Sequence, residues 1–316
     1  FPTRGSMLDV ARKFLTMDYL KQYVKILSFY KMNEFQIHLN DNGFPQFFGD
    51  DWNRTYAAFR LESERFPGLT AKDGSYSKQE FIDLQRMGLE YGVRIIPEID
   101  IPAHSLAFAH YKPEIASRKY GMDHLDLYKK ETYQFVDSLL DEYLSGDNPV
   151  FIGDLHIGTD EYNKKEAEQY RYFTDRYLKF VEKYGKNVRM WGGLKWLPGK
   201  TPVKAEGVTV NAWSYDWVDP VVSLQEGYKL INTCDTYLYI VPAAGYYRDF
   251  LDHQWIYEKW SPWIMNRKQT LPEGTPGVLG GMFAVWNDKC GNGISEQDVH
   301  LRSFPACLLY TSDAAD

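Results

Sequence analysis

The chain has 316 residues, 44% of them hydrophobic, which is enough to bury a substantial core. It carries 36 basic and 43 acidic residues, a net charge of −7, and Lys and Arg form no cluster along the sequence. Nucleic acid and anionic membrane surfaces are therefore not expected as partners. No apolar run approaches the length of a membrane span. The three cysteines, Cys234, Cys290 and Cys307, give neither a disulfide framework nor a metal-ligand spacing.

Strand-like and helix-like segments alternate along the chain. An amphipathic helix is predicted over Met17–Met32, and a second over Ser77–Tyr91, with Ser77 as N-cap and Glu80 three residues further on. A third helix is predicted over Lys130–Leu144. The predicted strands are, in chain order, Ser6–Ala11, Glu34–Asn40, Val93–Ile99, Asp154–Gly158, Asn187–Gly192, Val208–Trp213, Lys229–Cys234 and Gly280–Trp286.

Eight strands, most of them separated by helices, predict an α/β fold of the (β/α)8 TIM barrel type. A doubly wound sheet is the alternative. It would need a glycine-rich phosphate-binding turn after its first strand, and Leu8–Phe14 (LDVARKF) contains no glycine. The sequence also shows no internal repeat and no linker-like segment, which favours one domain.

Polar and aromatic side chains follow almost every predicted strand. In a barrel these strand ends form a single face, and active sites are built there. The residues in question are His38, Asn40 and Asp41, then Glu98, Asp100 and His104, then Asp160 and Glu161, then Trp191, Trp213, Asp235 to Tyr237, and Trp286 to Asp288. We therefore expect a functional site at the carboxyl ends of the strands.

Two adjacent carboxylates, Asp160 and Glu161, end the stretch LHIGTDEYN. Successive side chains of an extended chain diverge, so the two carboxylates need not compete for one position. The simpler interpretation is that one caps the next helix and the other is solvated. Gly158, which lets backbone or ligand approach closely, and the aromatic residues at the same face favour a functional pair instead.

Four segments resemble motifs of the family 20 glycoside hydrolases, the β-N-acetylhexosaminidases. His156–Glu161 (HIGTDE) is similar to their H-x-G-G-D-E motif, with Thr159 replacing the second glycine. The other three segments match in the same order, and the resemblance extends from Arg4 to about Pro305. They are Arg4–Phe14 (RGSMLDVARKF), Lys31–Asp41 (KMNEFQIHLND) and Ile95–Ala107 (IIPEIDIPAHSLA).

The resemblance implies a retaining exo-β-N-acetylhexosaminidase that removes terminal β-linked GlcNAc or GalNAc from glycans. In this family the substrate's own 2-acetamido oxygen attacks the anomeric carbon and forms an oxazolinium ion. Glu161 is then the general acid and base, Asp160 holds the acetamido N–H, and Tyr237 donates to the acetamido oxygen. The resemblance also implies no cofactor and no metal, and a secreted, periplasmic or cell-surface location; it leaves the oligomeric state open.

The resemblance assigns further residues to substrate binding. Arg4 is expected to grip the sugar's 3- and 4-hydroxyls, and His104 and Asp41 to orient Glu161. The expected walls of the acetamido pocket are Trp191, Trp213 and Trp286. Several of these residues also have a simpler explanation. The tryptophans would pack at the barrel rim, Tyr237 would pack in the core, and Arg4 would be a surface charge.

Departures from the family pattern lie near the sugar's O4 and O6. Asp288 stands where the family commonly has Glu, and Gly43 to Gln46 replace its Q-G-W-R segment. Tyr239 takes the place of an aspartate. These changes suggest an alternative substrate, a 6-sulfated or extended N-acetylhexosamine glycan.

Two other functions remain open. One is a catalytically silent sugar-binding barrel, which the intact Asp160–Glu161 pair opposes. The other is a metal-dependent hydrolase using His38, His104 and His156, which lack the H-x-H and H-E-x-x-H spacings.

The C-terminal segment Cys307–Asp316 lacks the apolar periodicity of a barrel helix and reads like a translated library adapter. We therefore predict a barrel domain over residues 1–306, a non-native tail over 307–316, and a barrel without its eighth helix. The chain would then be a gene fragment.

Overall fold

The computed structural model describes residues 1–291 and 293–310, with side chains up to residue 307. Eight parallel strands form a closed barrel, because the first strand pairs with the second on one side and with the eighth on the other. The strands are β1 (Thr3–Asp9), β2 (Glu34–His38), β3 (Arg94–Ile101), β4 (Leu155–Gly158), β5 (Val188–Trp191), β6 (Val208–Ala212), β7 (Lys229–Asn232) and β8 (Val278–Val285). The prediction of a (β/α)8 barrel is confirmed.

Helices connect the barrel strands. They are α1 (Met17–Phe29), α2 (Lys78–Glu90), α3 (Leu106–Tyr111), α4 (Lys130–Leu144), α5 (Ala167–Glu182), α6 (Pro220–Glu226), α7 (Asp235–Leu238), α8 (His253–Lys259) and α9 (Glu296–Tyr310). Short strands lie in the loops, at Asn40–Asn42 paired with Ala57–Phe59, at Ala116–Ser117 paired with Gly121–Leu125, and at Tyr239–Ile240 beside β8. No helix in the described ranges combines the length and apolarity needed to cross a bilayer.

The helices form where local sequence signals and an apolar face coincide. The predicted capping box of α2 is confirmed, since Ser77 and Glu80 each accept from the other's backbone N–H. The predicted bounds of α4 are also those observed. Along α1, Leu20, Val24 and Leu27 are spaced at three and four residues and are fully buried against the barrel.

Strand β1 begins and ends earlier than predicted. It starts at Thr3 because Thr3 and Arg4 pair with Gly280 and Gly281 of β8. It ends at Asp9, whose carboxylate accepts hydrogen bonds from the backbone N–H groups that follow and so turns the chain. This shift determines which arginine reaches the site.

The expectation that the barrel lacks its last helix is wrong. Helix α9 follows β8 and contacts both that strand and α1. Its residues Val299 and Phe304 are buried, and the Phe304 ring lies 4.9 Å from that of Tyr23 on α1. Burial of these side chains stabilises the helix despite Pro305 within it. Residues 311–316 of the predicted tail lie outside the described residues, and the boundary at 306 stays a prediction.

Candidate active site

A cavity of about 170 Å³ opens at the carboxyl ends of the barrel strands. Six of the predicted site residues line it, namely His104, Asp160, Glu161, Trp213, Trp286 and Asp288. Six further residues, which were not predicted as site residues, complete the lining, namely Arg12, Phe44, Tyr239, Val241, Tyr246 and Tyr247. Four predicted residues, Arg4, Asp41, Trp191 and Tyr237, do not line it.

The turn after β4 separates the two adjacent carboxylates. Gly158, Thr159 and Glu161 all have positive φ, of 68°, 80° and 53°. This tight turn leaves the Asp160 side chain 11% exposed at the base of the cavity and the Glu161 side chain 50% exposed at its mouth. The two carboxylates therefore face different environments although they are neighbours in sequence.

Close packing under the turn explains Gly158. A Cβ added there would lie 1.7 Å from the Asp100 Oδ1 atom, so no larger residue fits. The same oxygen accepts from the Thr159 N–H at 3.2 Å, and the buried Tyr170 hydroxyl donates to the Thr159 carbonyl at 2.5 Å. Thr159 is a β-branched residue in the left-handed region, which is strained backbone of the kind found at functional sites.

His104 connects the carboxylate pair to a buried charge network. Its Nδ1 atom lies 2.9 Å from Asp41 Oδ1, and its Nε2 atom lies 3.5 Å from Asp160 Oδ2 and 3.3 Å from Glu161 Oε2. Asp41 is fully buried, and its other oxygen lies 2.6 Å from His38 Nε2 and 2.9 Å from Arg12 Nη1. Asp41 thus touches the site through His104 and Arg12 rather than by lining it.

Opposite charges keep this network ionised. Burial works against the imidazolium of His104, but Asp41 and Asp160 outweigh it and raise the pKa of His104 well above 6.5. Burial likewise opposes the charge of Asp41, yet Arg12 and His104 hold its pKa well below the usual 3.8. His38 also has a raised pKa, because Glu98 and Asp41 outweigh its burial.

Asp100 behaves in the opposite way. Burial and the neighbouring Asp160 raise the pKa of Asp100 well above 3.8. This shift favours the neutral form of Asp100 and so reduces the negative charge beneath Asp160.

We expect the free energy of unfolding to fall as the pH rises above 6.5. His38 and His104 have folded-state pKa values above the unfolded value, so their stabilisation is complete below pH 6.5 and is lost as the pH rises through the folded pKa. His156, whose pKa burial lowers to about 4, is neutral in both states above pH 6.5. His104→Gln should make the decline of the unfolding free energy with pH less steep, by up to about 1.4 kcal/mol per pH unit.

Denaturant unfolding at several pH values checks this expectation. The exposed His110 on α3 provides a matched control, His110→Gln. If the unfolding free energy of His104→Gln depended on pH as steeply as that of the wild type, the charged state assigned to His104 would be contradicted.

The assignment of the sugar-gripping arginine to Arg4 is wrong, because Arg4 lies at the opposite end of the barrel. Its guanidinium donates to the carbonyls of Lys31 and Phe1, both at 2.7 Å. Arg12, which follows the carboxyl end of β1, lines the cavity instead. Its Nη1 atom lies 2.9 Å from Asp41 and 3.4 Å from Asp288.

Tyr237, which was predicted to be the catalytic tyrosine, lies outside the cavity. The Tyr237 ring stacks on Trp255, with ring centroids 4.4 Å apart, and does not line the cavity. Tyr239, two residues later, lines it and packs against Trp286 at 5.8 Å. If Tyr239 is aligned with the family's tyrosine, Val241 takes the position two residues later, where the family commonly has aspartate.

Two of the three predicted tryptophans wall the cavity. Trp213 and Trp286 line it, and the Trp213 Nε1 donates to the Gly192 carbonyl at 2.8 Å. Trp191 is only 1% exposed, so it has almost no surface to offer a ligand. It lies behind Trp286, with the two ring centroids 5.6 Å apart, and its Nε1 donates to Glu98 Oε1 at 2.6 Å.

Asp288 lies at the cavity wall formed by the end of β8. The Tyr246 hydroxyl donates to Asp288 Oδ2 at 2.8 Å, while Arg12 approaches its Oδ1. Tyr246 and Tyr247 come from the loop after Ile240, and nothing in the sequence marked this loop as part of the site. The paired Arg12 and Asp288 can hold hydroxyl groups of a sugar.

The three histidines of the alternative metal hypothesis do not converge on one position. Within the described residues, two sets of three side chains could hold an ion, and each contains a single histidine. The sets are His38, Glu98 and Asp100, and Asp100, His104 and Asp160. His156 Nδ1 instead accepts from the Gly158 N–H at 3.1 Å.

A (β/α)8 barrel with a carboxylate pair and aromatic walls at the carboxyl ends of its strands is the arrangement of a glycoside hydrolase. Comparison with known proteins gives the family. Residues 1–306 match the glycosyl hydrolase family 20 catalytic domain, and the chain belongs to this family.

The chain is also similar to proteins named beta-hexosaminidase. A beta-hexosaminidase of Akkermansia muciniphila is 28% identical over 252 residues, covering 67% of this chain and 48% of its own. One of Vibrio furnissii is 32% identical over 181 residues, covering 51% of this chain and 29% of its own. The chain thus spans about half of the first relative and less than a third of the second.

Solved structures share the fold. Dispersin B aligns with a TM-score of 0.74 at 20% identity over 98% of this chain and 99% of its own. The family 20 β-N-acetylhexosaminidase of Streptomyces coelicolor aligns with a TM-score of 0.76 at 22% identity, over 99% of this chain and 65% of its own.

Proposed function

We propose that this protein is a retaining exo-β-N-acetylhexosaminidase that removes terminal β-linked GlcNAc or GalNAc by substrate-assisted catalysis. One observation carries the proposal: the adjacent Asp160 and Glu161 are divided between the base and the mouth of an aromatic cavity. Membership of family 20 and the names of the relatives support it.

Asp160 is suited to hold the substrate's acetamido N–H. Its Oδ1 atom is buried and accepts no hydrogen bond from the described residues, so a ligand donor can satisfy it. The acetamido oxygen then attacks the anomeric carbon, and the bond to the leaving oxygen breaks as a cyclic oxazolinium ion forms. The negative charge of Asp160 stabilises the positive charge that develops on the acetamido nitrogen.

Tyr239 takes over the role first assigned to Tyr237. Its ring packs on Trp286 and lines the cavity. Burial, the main cause, and nearby carboxylates raise its pKa well above 10, so its hydroxyl remains a donor. The hydroxyl donates to the acetamido oxygen and fixes it for attack.

Glu161 acts at the mouth of the cavity, where the leaving group exits. It protonates the glycosidic oxygen as the bond breaks, and afterwards takes a proton from the water that opens the oxazolinium ring. His104, 3.3 Å from Glu161 Oε2, orients the carboxyl group through its contact with Asp41. No carboxylate of the protein is needed as a nucleophile.

Activity on matched aryl glycosides tests the proposal. Aryl β-GlcNAc should be cleaved at least about 100 times faster than aryl β-glucoside, which lacks the internal nucleophile. Equal rates on the two glycosides would contradict it. Loss of activity in the presence of a chelator would instead favour the metal-dependent alternative, and tight binding without turnover would favour the silent sugar-binding barrel.

A second substrate class, 6-sulfated or extended N-acetylhexosamine glycans, is favoured by Asp288 at the wall of the cavity. Asp288 is one methylene shorter than the family's glutamate, and Tyr246 reaches it from the loop. Asp288→Glu should therefore raise the preference for plain GlcNAc over 6-sulfated or extended sugars. An unchanged ratio of kcat/KM values for the two substrate kinds would remove this alternative.

A further inference from the structure

An exposed aromatic and cationic surface lies beside the mouth of the cavity. We name it the cationic rim; it consists of Lys164, Lys195, Trp196, Tyr215, Trp217 and Lys268. Lys164 Nζ lies 4.6 Å from the centre of the Trp196 ring, which is 37% exposed. Lys195 and Lys268 approach the Tyr215 ring, at 3.7 Å and 4.3 Å from its centre.

The cationic rim is continuous with the catalytic cavity. Trp213 lines the cavity, and its ring centroid lies 5.4 Å from that of Trp217. The Trp217 ring centroid in turn lies 5.2 Å from that of Trp196. The backbone N–H of Lys195 donates to the Trp217 carbonyl, which joins the loops after β5 and β6. A row of aromatic rings therefore leads from the cavity wall to the surface.

The position of the cationic rim in the barrel places it on the leaving-group side. Lys164 follows β4, Lys195 and Trp196 follow β5, Tyr215 and Trp217 follow β6, and Lys268 follows β7. Lys164 also follows Glu161 by three residues. Arg12 and Asp288, which face the other end of the sugar, follow β1 and β8. In a ring of eight strands, β5 lies across from β1 and β4 across from β8.

The charge of the rim differs from that of the whole chain, which has a net charge of −7. Within the described residues, none of the ammonium groups of Lys164, Lys195 and Lys268 lies within ion-pair distance of a carboxylate. Asp216 is the one acidic residue between Trp213 and Trp217. These three lysines come from separate segments, so the sequence alone shows no cluster.

We infer that the substrate carries an anionic group, a carboxylate or a sulfate, on the sugar that follows the scissile bond. This inference rests on the proposed function, since it needs Glu161 to mark the leaving-group side. Aromatic rings pack on the faces of sugars, and ammonium groups that have no carboxylate partner attract an anion on the same sugar. The Lys195 ammonium group donates to the Tyr215 carbonyl, but a neutral glycan would leave all three lysines without a negatively charged partner.

Three matched disaccharides test the inference, with GlcNAc β-linked to glucose, to glucuronic acid or to glucose 6-sulfate. At low ionic strength we expect kcat/KM for at least one acidic disaccharide to exceed that for the neutral one by about 10-fold. The excess should vanish near about 1 M salt, where the screening length is about 3 Å. The two acidic arms distinguish carboxylate from sulfate.

Variants assign the effect to the cationic rim. Replacing Lys164, Lys195 and Lys268 together by Gln should bring the ratio of acidic to neutral kcat/KM close to one. Lys25→Gln, on the exposed face of α1, is the matched control and should keep the wild-type ratio. The ratio is internal to each variant, so a change in folded fraction does not affect it.

Two results would overturn the inference while leaving the proposed function intact. One is equal kcat/KM for neutral and acidic disaccharides in an enzyme that cleaves aryl β-GlcNAc. The other is an acidic preference that survives in the triple variant. Absence of cleavage of aryl β-GlcNAc would instead contradict the proposed function, and this inference with it.

Discussion

Replacement of Glu161 by Gln is expected to lower the turnover of GlcNAc glycosides with poor leaving groups by about 10²–10⁴-fold. The amide keeps the size of the side chain at the cavity mouth but cannot supply a proton. Activated aryl glycosides need little protonation, so their turnover should fall much less. Steady-state kinetics across a series of leaving groups measures this difference.

Asp160→Asn is the comparison that separates the two roles. Asp160 acts at the acetamido end of the sugar, so its loss should slow substrates with good and poor leaving groups alike. If Glu161→Gln damaged every substrate equally, whatever its leaving group, the assignment of Glu161 as the acid would be wrong.

Gly158→Ala is expected to lower the free energy of unfolding by about 2–5 kcal/mol and to abolish most activity. The new Cβ would lie 1.7 Å from the Asp100 Oδ1 atom, in a backbone conformation with φ of 68°. Either Asp100 or the turn must move, and the turn carries Asp160 and Glu161. Denaturant unfolding and aryl β-GlcNAc turnover together measure the two losses.

Thr159→Gly is the matched control at the next position. Thr159 has φ of 80°, so glycine relieves strain there and introduces no clash. The variant should keep or raise the free energy of unfolding. Wild-type stability and activity in Gly158→Ala would contradict the close packing described beneath the turn.

The barrel could be predicted from the sequence because apolar periodicity and strand ends repeat eight times. The position of Asp160 and Glu161 could be predicted because they follow the end of a short buried strand, β4. The last helix was missed because apolar spacing is weak after Cys307. Burial of Val299 and Phe304, earlier in the same helix, holds it against α1 and β8.

The misassigned arginine shows how register decides a site. Arg4 lies near the start of β1 and Arg12 lies just beyond its end, and the resemblance assigned the role to Arg4. At about 3.3 Å per residue, the five residues from Arg4 to Asp9 place Arg4 roughly 16 Å from the carboxyl end of β1. Active-site residues of a barrel lie at the carboxyl ends of its strands, so the observed bounds of β1 favour Arg12 over Arg4.

Tyr237 and Trp191 lie outside the cavity for local reasons. Tyr237 and Tyr239 stand two residues apart, and the short helix α7 turns the first toward Trp255. Trp191 ends its strand with the side chain directed into the barrel, where Glu98 accepts its N–H. Tyr246, on an irregular loop, carried no periodic signal that could have predicted its contact with Asp288.

The most direct test of substrate assistance is the rate of hydrolysis of aryl β-glycosides whose 2-acetamido group carries increasing numbers of fluorine atoms. Fluorine withdraws electrons from the acetamido oxygen and weakens it as a nucleophile, while the rest of the substrate changes little. If this oxygen attacks the anomeric carbon, kcat/KM should fall steadily, by about 100-fold or more from acetyl to trifluoroacetyl. A rate independent of fluorine content would show that the acetamido oxygen is not the nucleophile.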